Sequence, residues 1–276
     1  MLRRASLAGA IGLVAATAGA AALLTSTVAF RWSWTGIRGR GAAGLAADLC
    51  GTLGLCAQGL VVRPSLLIRN GPRDSAKIAL TFDMGGRVRS ALEIVNILID
   101  RRVPATIFIT GAMIENRRTD VGREVLALVE EHASMLEIGN HSYSHVDFTT
   151  LSADDMRAEL QRTDAAVSAH SKLTVKPLFR PPFGAVNASV LETVGASRYR
   201  HTVLWDVGTT DWLRESDGGP TTAQIVDNVL GTARAGSIVL MHLAGYNTAA
   251  ALPTIIDGLR TRGFDLVTVS ELLGSA

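Results

Sequence analysis

The stretch Ile78-Ala79-Leu80-Thr81-Phe82-Asp83-Met84-Gly85-Gly86 decides how the chain is read. Its apolar and β-branched residues predict a buried strand. An acid and two glycines end it. A carboxylate is thereby placed at the C-terminal mouth of a strand, on a turn where backbone can approach a ligand closely. Many buried strands end in Asp, so this stretch gains its weight from four later ones that end in a similar way.

Working outward, strand-like and helix-like runs alternate from Lys77 to the C-terminus. Strands are predicted over 77–83, 104–110, 136–139, 177–180, 199–207, 237–241 and 264–267. Helices are predicted between them over 88–101, 119–132, 152–170, 187–194, 221–234 and 249–262, with Thr119 as an N-cap and Ser152-x-x-Asp155 at capping-box spacing. Such alternation calls for a parallel sheet with crossover helices. Seven strands in about two hundred residues suit a small (β/α) barrel better than an open doubly wound sheet. In barrels, chemistry collects at the C-terminal ends of the strands.

Four further strand ends carry chemistry-bearing residues. Asn140-His141-Ser142-Tyr143-Ser144-His145 holds two histidines four apart. On one helical turn they would point the same way and grip one divalent cation; surface or capping histidines are the alternative. Arg180-Pro181-Pro182-Phe183-Gly184 places an arginine at a rigid strand end, where a forked pair of hydrogen bonds would orient a carboxylate. Trp205-Asp206-Val207-Gly208-Thr209-Thr210-Asp211-Trp212 sets acids beside aromatics, able to hold a histidine and wall a pocket. A helix cap and a core tryptophan explain the same residues. Ile238-Val239-Leu240-Met241-His242 ends an apolar strand in a histidine, which is either an acid–base group or a hydrogen-bonded rim residue.

With these five motifs in this order, residues 77–273 resemble the polysaccharide deacetylase family, the NodB-like carbohydrate esterases of family 4. The resemblance implies a distorted (β/α) barrel and metal-dependent removal of acetyl groups from glycans. It implies Asp83 as general base, Arg180 as the arginine that orients it, His242 as general acid and Asp211 as the acid that tunes His242. His141 and His145 would hold a divalent ion, zinc being the leading expectation. Trp212, Leu240, Pro182 and Phe183 would form the substrate pocket. The implied partner is an N-acetylated glycan, cell-wall peptidoglycan first, with chitin-like oligosaccharides and O-acetylated glycans as alternatives.

One departure stands out. Met84 occupies the place of a second aspartate that is the family's third metal ligand. A thioether is a soft, uncharged ligand, poorly suited to Zn²⁺. Asn140, Asp147 and Glu137 are nearby candidates for a replacement oxygen, and loss of metal and activity, leaving a glycan binder, is the other reading. Gly86 and Gly208 also stand where the family often has Pro and an acid.

The first seventy-four residues have a different character. Arg3 and Arg4 precede a run from Ala5 to Phe30 that carries no charge. A cationic head before an apolar run is the pattern of a signal peptide or, uncleaved, of a membrane anchor. Either places the remainder outside the cytoplasm. Residues 31–74 are expected to form a juxtamembrane segment and linker, ahead of a catalytic domain over 75–276. Cys50 and Cys56 are the two cysteines, and spacing leaves their pairing open. A net charge of +2 over 276 residues, with no basic block beyond Arg3-Arg4, gives no sign of a nucleic-acid surface. Oligomeric state is not encoded legibly.

Overall fold

The computed structural model describes residues 63–87 and 89–274. The leader, Cys50 and Cys56 lie outside the described residues. Among those described, no helix is long and apolar enough to cross a membrane.

Within the described residues, nine parallel strands form one sheet. In chain order they are β1 (Leu66–Ile68), β2 (Lys77–Met84), β3 (Ala105–Ile109), β4 (Leu136–Asn140), β5 (Leu178–Phe179), β6 (His201–Val203), β7 (Val207–Gly208), β8 (Ile238–His242) and β9 (Asp265–Val267). Their spatial order is β1-β6-β5-β4-β3-β2-β8-β7, with β9 paired to the lower half of β2. Strands β6 and β7 lie near opposite ends of that order, yet Val203 and Val207 are four peptide steps apart. Four steps reach at most about 14 Å, so the sheet must curl until its ends nearly meet. The expected distorted barrel is what this topology produces.

The helices are α1 (Ala91–Asp100), α2 (Gly111–Ile114), α3 (Val121–Glu131), α4 (Ala153–Ser168), α5 (Ala188–Ala196), α6 (Thr222–Thr232), α7 (Thr248–Thr261) and α8 (Val269–Leu272). Alternation along β2 sorts its side chains. Ile78, Leu80, Phe82 and Met84 are fully buried in one apolar cluster with residues of α1, α3 and α7. Ala79 belongs to a second cluster with Phe108, Leu178, Val203 and Ile238, closed by Val267, Val269 and Leu272. This second cluster fills the lower barrel, which leaves the inner positions at the strands' C-terminal ends for polar groups. Strands β2 and β3 are buried on both faces, as near-continuous apolar runs require.

Several expectations need correction. The run 199–207 is two strands, not one, because the chain leaves β6 and crosses the seam to pair with β8. Residues 66–68, read as linker, are a strand paired with β6. Three residues, two of them exposed, are too short to show alternation. Helix α3 starts at Val121, and Thr119 is not its N-cap; the Thr119 hydroxyl accepts the Val121 N–H instead. Ser152, Asn187 and Thr221 do cap α4, α5 and α6, each worth about 1 kcal/mol.

Candidate active site

Register builds the centre of the site. Strands β2 and β8 pair with Thr81 opposite Leu240 and Asp83 opposite His242. In a parallel ladder such partners share a face, so Asp83 and His242 stand side by side at the barrel mouth. Asp83, Gly85, His141, His145, Phe183, Trp205, Trp212, Leu240 and His242 line one cavity of about 490 Å³ there. Residues from five strand ends therefore converge as anticipated.

Arg180 leaves β5 on the inner face and is 0% exposed. Its Nη1 donates to Asp83 Oδ1 at 2.7 Å and to Thr81 Oγ1 at 2.9 Å. Nε and Nη2 donate to the carbonyls of Val203 and Leu204. The contact to Asp83 is thus through one nitrogen, not the forked pair expected. The carbonyls at the end of β6 take the rest of the guanidinium, and they became visible only with the fold. The guanidinium also lies 4.1 Å from the Phe108 ring centre. Burial by itself would push the Asp83 carboxyl up. Arg180, then His141 and His242, more than offset that and hold it below the usual carboxylate range.

His141 and His145 do not share a helical turn. They flank an irregular loop after β4 in which Ser142 and His145 take positive φ, at 67° and 59°. Glu159 of α4 holds this loop, accepting the N–H groups of Tyr143 and Ser144 and the Ser144 hydroxyl. Nothing in sequence marked Glu159 for that task. The two rings meet edge to face, 5.0 Å between centres. His141 Nδ1 donates to the Arg180 carbonyl at 2.8 Å, so Nε2 carries the lone pair and faces Asp83 Oδ2 at 3.5 Å. Burial pushes His141 down to about 4, which leaves it neutral at physiological pH, and lowers His145 as well.

His242 is held by Asp211, which is buried. Asp211 Oδ1 bonds His242 Nδ1 at 2.7 Å, and Oδ2 accepts the His242 N–H and the Thr248 hydroxyl. Burial works to lower His242, but the hydrogen bond and charge of Asp211 win and raise it above an ordinary histidine. Gly245 is required here, since a Cβ would strike both Asp211 and Thr248. Asp206, the other acid of that motif, instead bonds Arg73, Ser237 and the Ile238 N–H, away from the cavity.

Leu240 lines the cavity floor, while Trp212 and Phe183 stand at its rim, 52% and 69% exposed. Phe183 meets His145 edge to face. Pro182 is buried and does not line the cavity; it starts the tight turn that presents Phe183 at φ 61°. Trp205, from the motif read as able to wall a pocket, lines the cavity. Arg87 lines it too, Tyr246 accepts from Arg87, and Thr248 at the start of α7 donates to Asp211; none of these three was anticipated. Arg87 and Tyr246 sit on loops whose neighbours are set by tertiary contact alone.

The donor set for a divalent ion is incomplete. Met84 is turned into the cluster between sheet and helices and does not line the cavity. None of the proposed substitutes replaces it. Asn140 is consumed by Tyr199, Leu160 and the Ser142 N–H, Glu137 by Thr106 and Ser270, and Asp147 caps Thr149. Among the described residues, no three His, Cys, Asp or Glu side chains are arranged to hold an ion. A catalytic zinc takes three protein ligands, and two imidazoles fall short of that.

Comparison with known proteins places this geometry. The family model described as polysaccharide deacetylase matches residues 70–201. The chain is 35% identical over 213 residues to the chitooligosaccharide deacetylase of Rhizobium leguminosarum bv. trifolii, covering 72% of this chain and 92% of that one. It is 32% identical over 202 residues to the peptidoglycan-N-acetylglucosamine deacetylase PgdA of Listeria monocytogenes, covering 73% of this chain. The chain spans 40% of the length of that Listeria relative. Among solved structures, BA3943 from Bacillus anthracis, named a CE4 family pseudoenzyme, superposes with a TM-score of 0.66 at 28% identity, over 77% of this chain and 70% of that one. A mutant of BA3943 is named as having restored enzymatic activity.

Proposed function

The chain belongs to the polysaccharide deacetylase family, and from that premise we propose that it hydrolyses N-acetyl groups on an amino-sugar polymer, with bacterial cell-wall peptidoglycan as the leading substrate. The observation that supports this most is the pair formed by Asp83 and His242 across the β2–β8 ladder, the carboxyl held below its ordinary range and the imidazole raised above its own. That is the division of labour amide hydrolysis needs.

In this reading the acetamide enters with its methyl against Leu240 and its sugar under Trp212. Asp83 removes a proton from a water as that water adds to the acetyl carbon. Arg180 keeps the carboxylate ionised and aimed. His242 then gives its proton to the sugar nitrogen as the C–N bond breaks, leaving acetate and a free amine. The Tyr143 and Ser144 amides are committed to Glu159, so neither serves the developing oxyanion. Pro181 and Pro182 have no N–H. Phe183 carries the first one after Arg180, and among the described residues it donates to nothing, which makes it the donor of choice. The incomplete ligand set means that no step here is routed through an ion.

Acetate release from N-acetylglucosamine oligomers and from wall fragments, with and without added divalent ions, tests this reading. Release is the expected result. Absence of release under every ion condition would favour the rival, a glycan binder using the same cleft, which the missing ligand at 84 and the likeness to BA3943 support. Faster cleavage of acetyl esters than of amides would make the protein an O-acetyl esterase. The leader places this activity outside the cytoplasm in our reading, tethered or secreted.

The pH profile reports on His242. Its proton must be present for donation, so the rate falls as pH rises through its raised pKa. Asp211→Asn removes the charge that raises it and is expected to move this alkaline limb to lower pH. An unmoved limb in the variant would show that another group supplies the proton.

A further inference from the structure

We infer that the cavity rim carries a carboxylate-recognition site, built from Arg87 and Arg214 on Tyr246, which selects acidic N-acetylated sugars over neutral ones; the inference rests on the deacetylase reading and names its substrate class. Arg87 follows the turn after β2 and lines the cavity together with His242. Its Nη1 donates to the Tyr246 hydroxyl and its Nη2 to the Trp212 carbonyl at 2.8 Å. From the other side Arg214 Nε donates to the same hydroxyl at 2.6 Å. Both guanidiniums also lie against the Tyr246 ring, 4.5 and 5.3 Å from its centre.

Two exposed cations therefore converge on one neutral oxygen. Neither has a carboxylate within 4 Å among the described residues; Asp217, three residues beyond Arg214, acts on it only from farther off. Glu215, on the same loop, is taken by Asn247 instead. Like charges gathered this way repel, and a shared anion relieves the repulsion while using the N–H groups the phenol leaves free. The planar guanidinium fork matches a carboxylate in geometry.

Position fixes what kind of anion fits. Tyr246 lies four residues beyond His242, and the intervening Gly245 N–H donates to the His242 carbonyl. His242 faces the nitrogen that leaves. A group bound at Tyr246 is thus carried close to the acetamide on the same sugar. The lactyl ether of N-acetylmuramic acid has this form: its carboxylate hangs from the ring carbon next to the one bearing the acetamide. N-Acetylglucosamine has a plain hydroxyl at that carbon.

The test compares the full-length protein with Arg214→Gln and Arg214→Lys on four disaccharides. One is neutral, one carries a free lactyl carboxylate, one carries the methyl ester of that group, and one bears a stem peptide that amidates it but keeps peptide carboxylates. Arg214 is chosen because Arg87 also braces Trp212. Equilibrium binding is measured in an Asp83→Asn background, so that preference is read without turnover. The expected result is tighter binding of the free acid, by about tenfold over its ester, lost in Arg214→Gln, partly restored in Arg214→Lys, which keeps the charge without the fork, and weakened by salt. Preference for the peptide-bearing sugar alone would assign the pair to stem carboxylates, keeping the site and changing the source. Equal binding of acid, ester and neutral sugar overturns the inference, even if acetate is released. Failure of acetate release with the acid preference intact would instead sink the catalytic reading and leave this site standing.

Discussion

Asp83→Asn is expected to lower acetate release by about 10²–10⁴-fold, the usual contribution of a positioned general base. The amide keeps the carboxylate's shape and still offers Oδ1 to Arg180, but its oxygen no longer takes a proton from water. Two effects have to be separated. Asp83 is also, among the described residues, the single carboxylate partner of a fully buried arginine. Stripping a buried ion pair of one partner costs about 3–5 kcal/mol, because the remaining charge is left uncompensated. Asparagine retains one acceptor, and the Val203 and Leu204 carbonyls and Thr81 retain three more of the contacts. A smaller loss, about 1–3 kcal/mol, is therefore expected. Thermal melting measures that loss, and kinetics well below the transition measure the chemistry. A folded variant that still releases acetate at the parent rate would remove Asp83 from the role of base.

The pairing behind that prediction was partly legible. A strand ending in Asp and another ending in His are visible as text, and the βα alternation implies that both ends face the same mouth. Their adjacency depends on β8 sitting beside β2, although about 150 residues separate the two strands in the chain. Local patterns cannot encode such an order. The split of 199–207 escaped for a related reason: a strand changes partners across the barrel seam with no change in its own apolar pattern. Glu159, Thr248 and Tyr246 act through contacts between helices and loops distant in sequence, and each is an ordinary residue on its own element.

Met84 is different, because its placement was written in the strand itself. Side chains alternate along β2, so an Asp83 that faces the cavity sends residue 84 toward the helices, with Ile78, Leu80 and Phe82. Ligand chemistry drew attention to the thioether as a poor donor and away from its direction. The histidine pair was over-read in the same manner. Spacing of four implies one face only on a helix, whereas the observed loop brings the rings together through two residues at positive φ.

Met84→Asp is expected to raise Zn²⁺ affinity by at least about tenfold, completing a set of two imidazoles and one carboxylate. The backbone at this point borders the histidines: a Cβ on Gly85 would lie 2.7 Å from His145 Cδ2. A carboxylate at 84 that remained among Phe82 and the helix residues would be unpaired in an apolar cluster, at a cost of several kcal/mol. Turning toward His141 and His145 removes that cost only when an ion is present to receive it. The variant should thus melt below the parent in chelator. Its melting point should rise with added Zn²⁺ by more than the parent's, because an ion that binds the folded state alone stabilises by RT ln(1 + [L]/Kd). The two arms need no turnover, so they stand apart from any effect on acetate release. A variant destabilised equally with and without Zn²⁺ would mean that β2 holds residue 84 against the helices whatever its chemistry. The deficit of this site would then lie in the strand's course, not in the identity of one side chain.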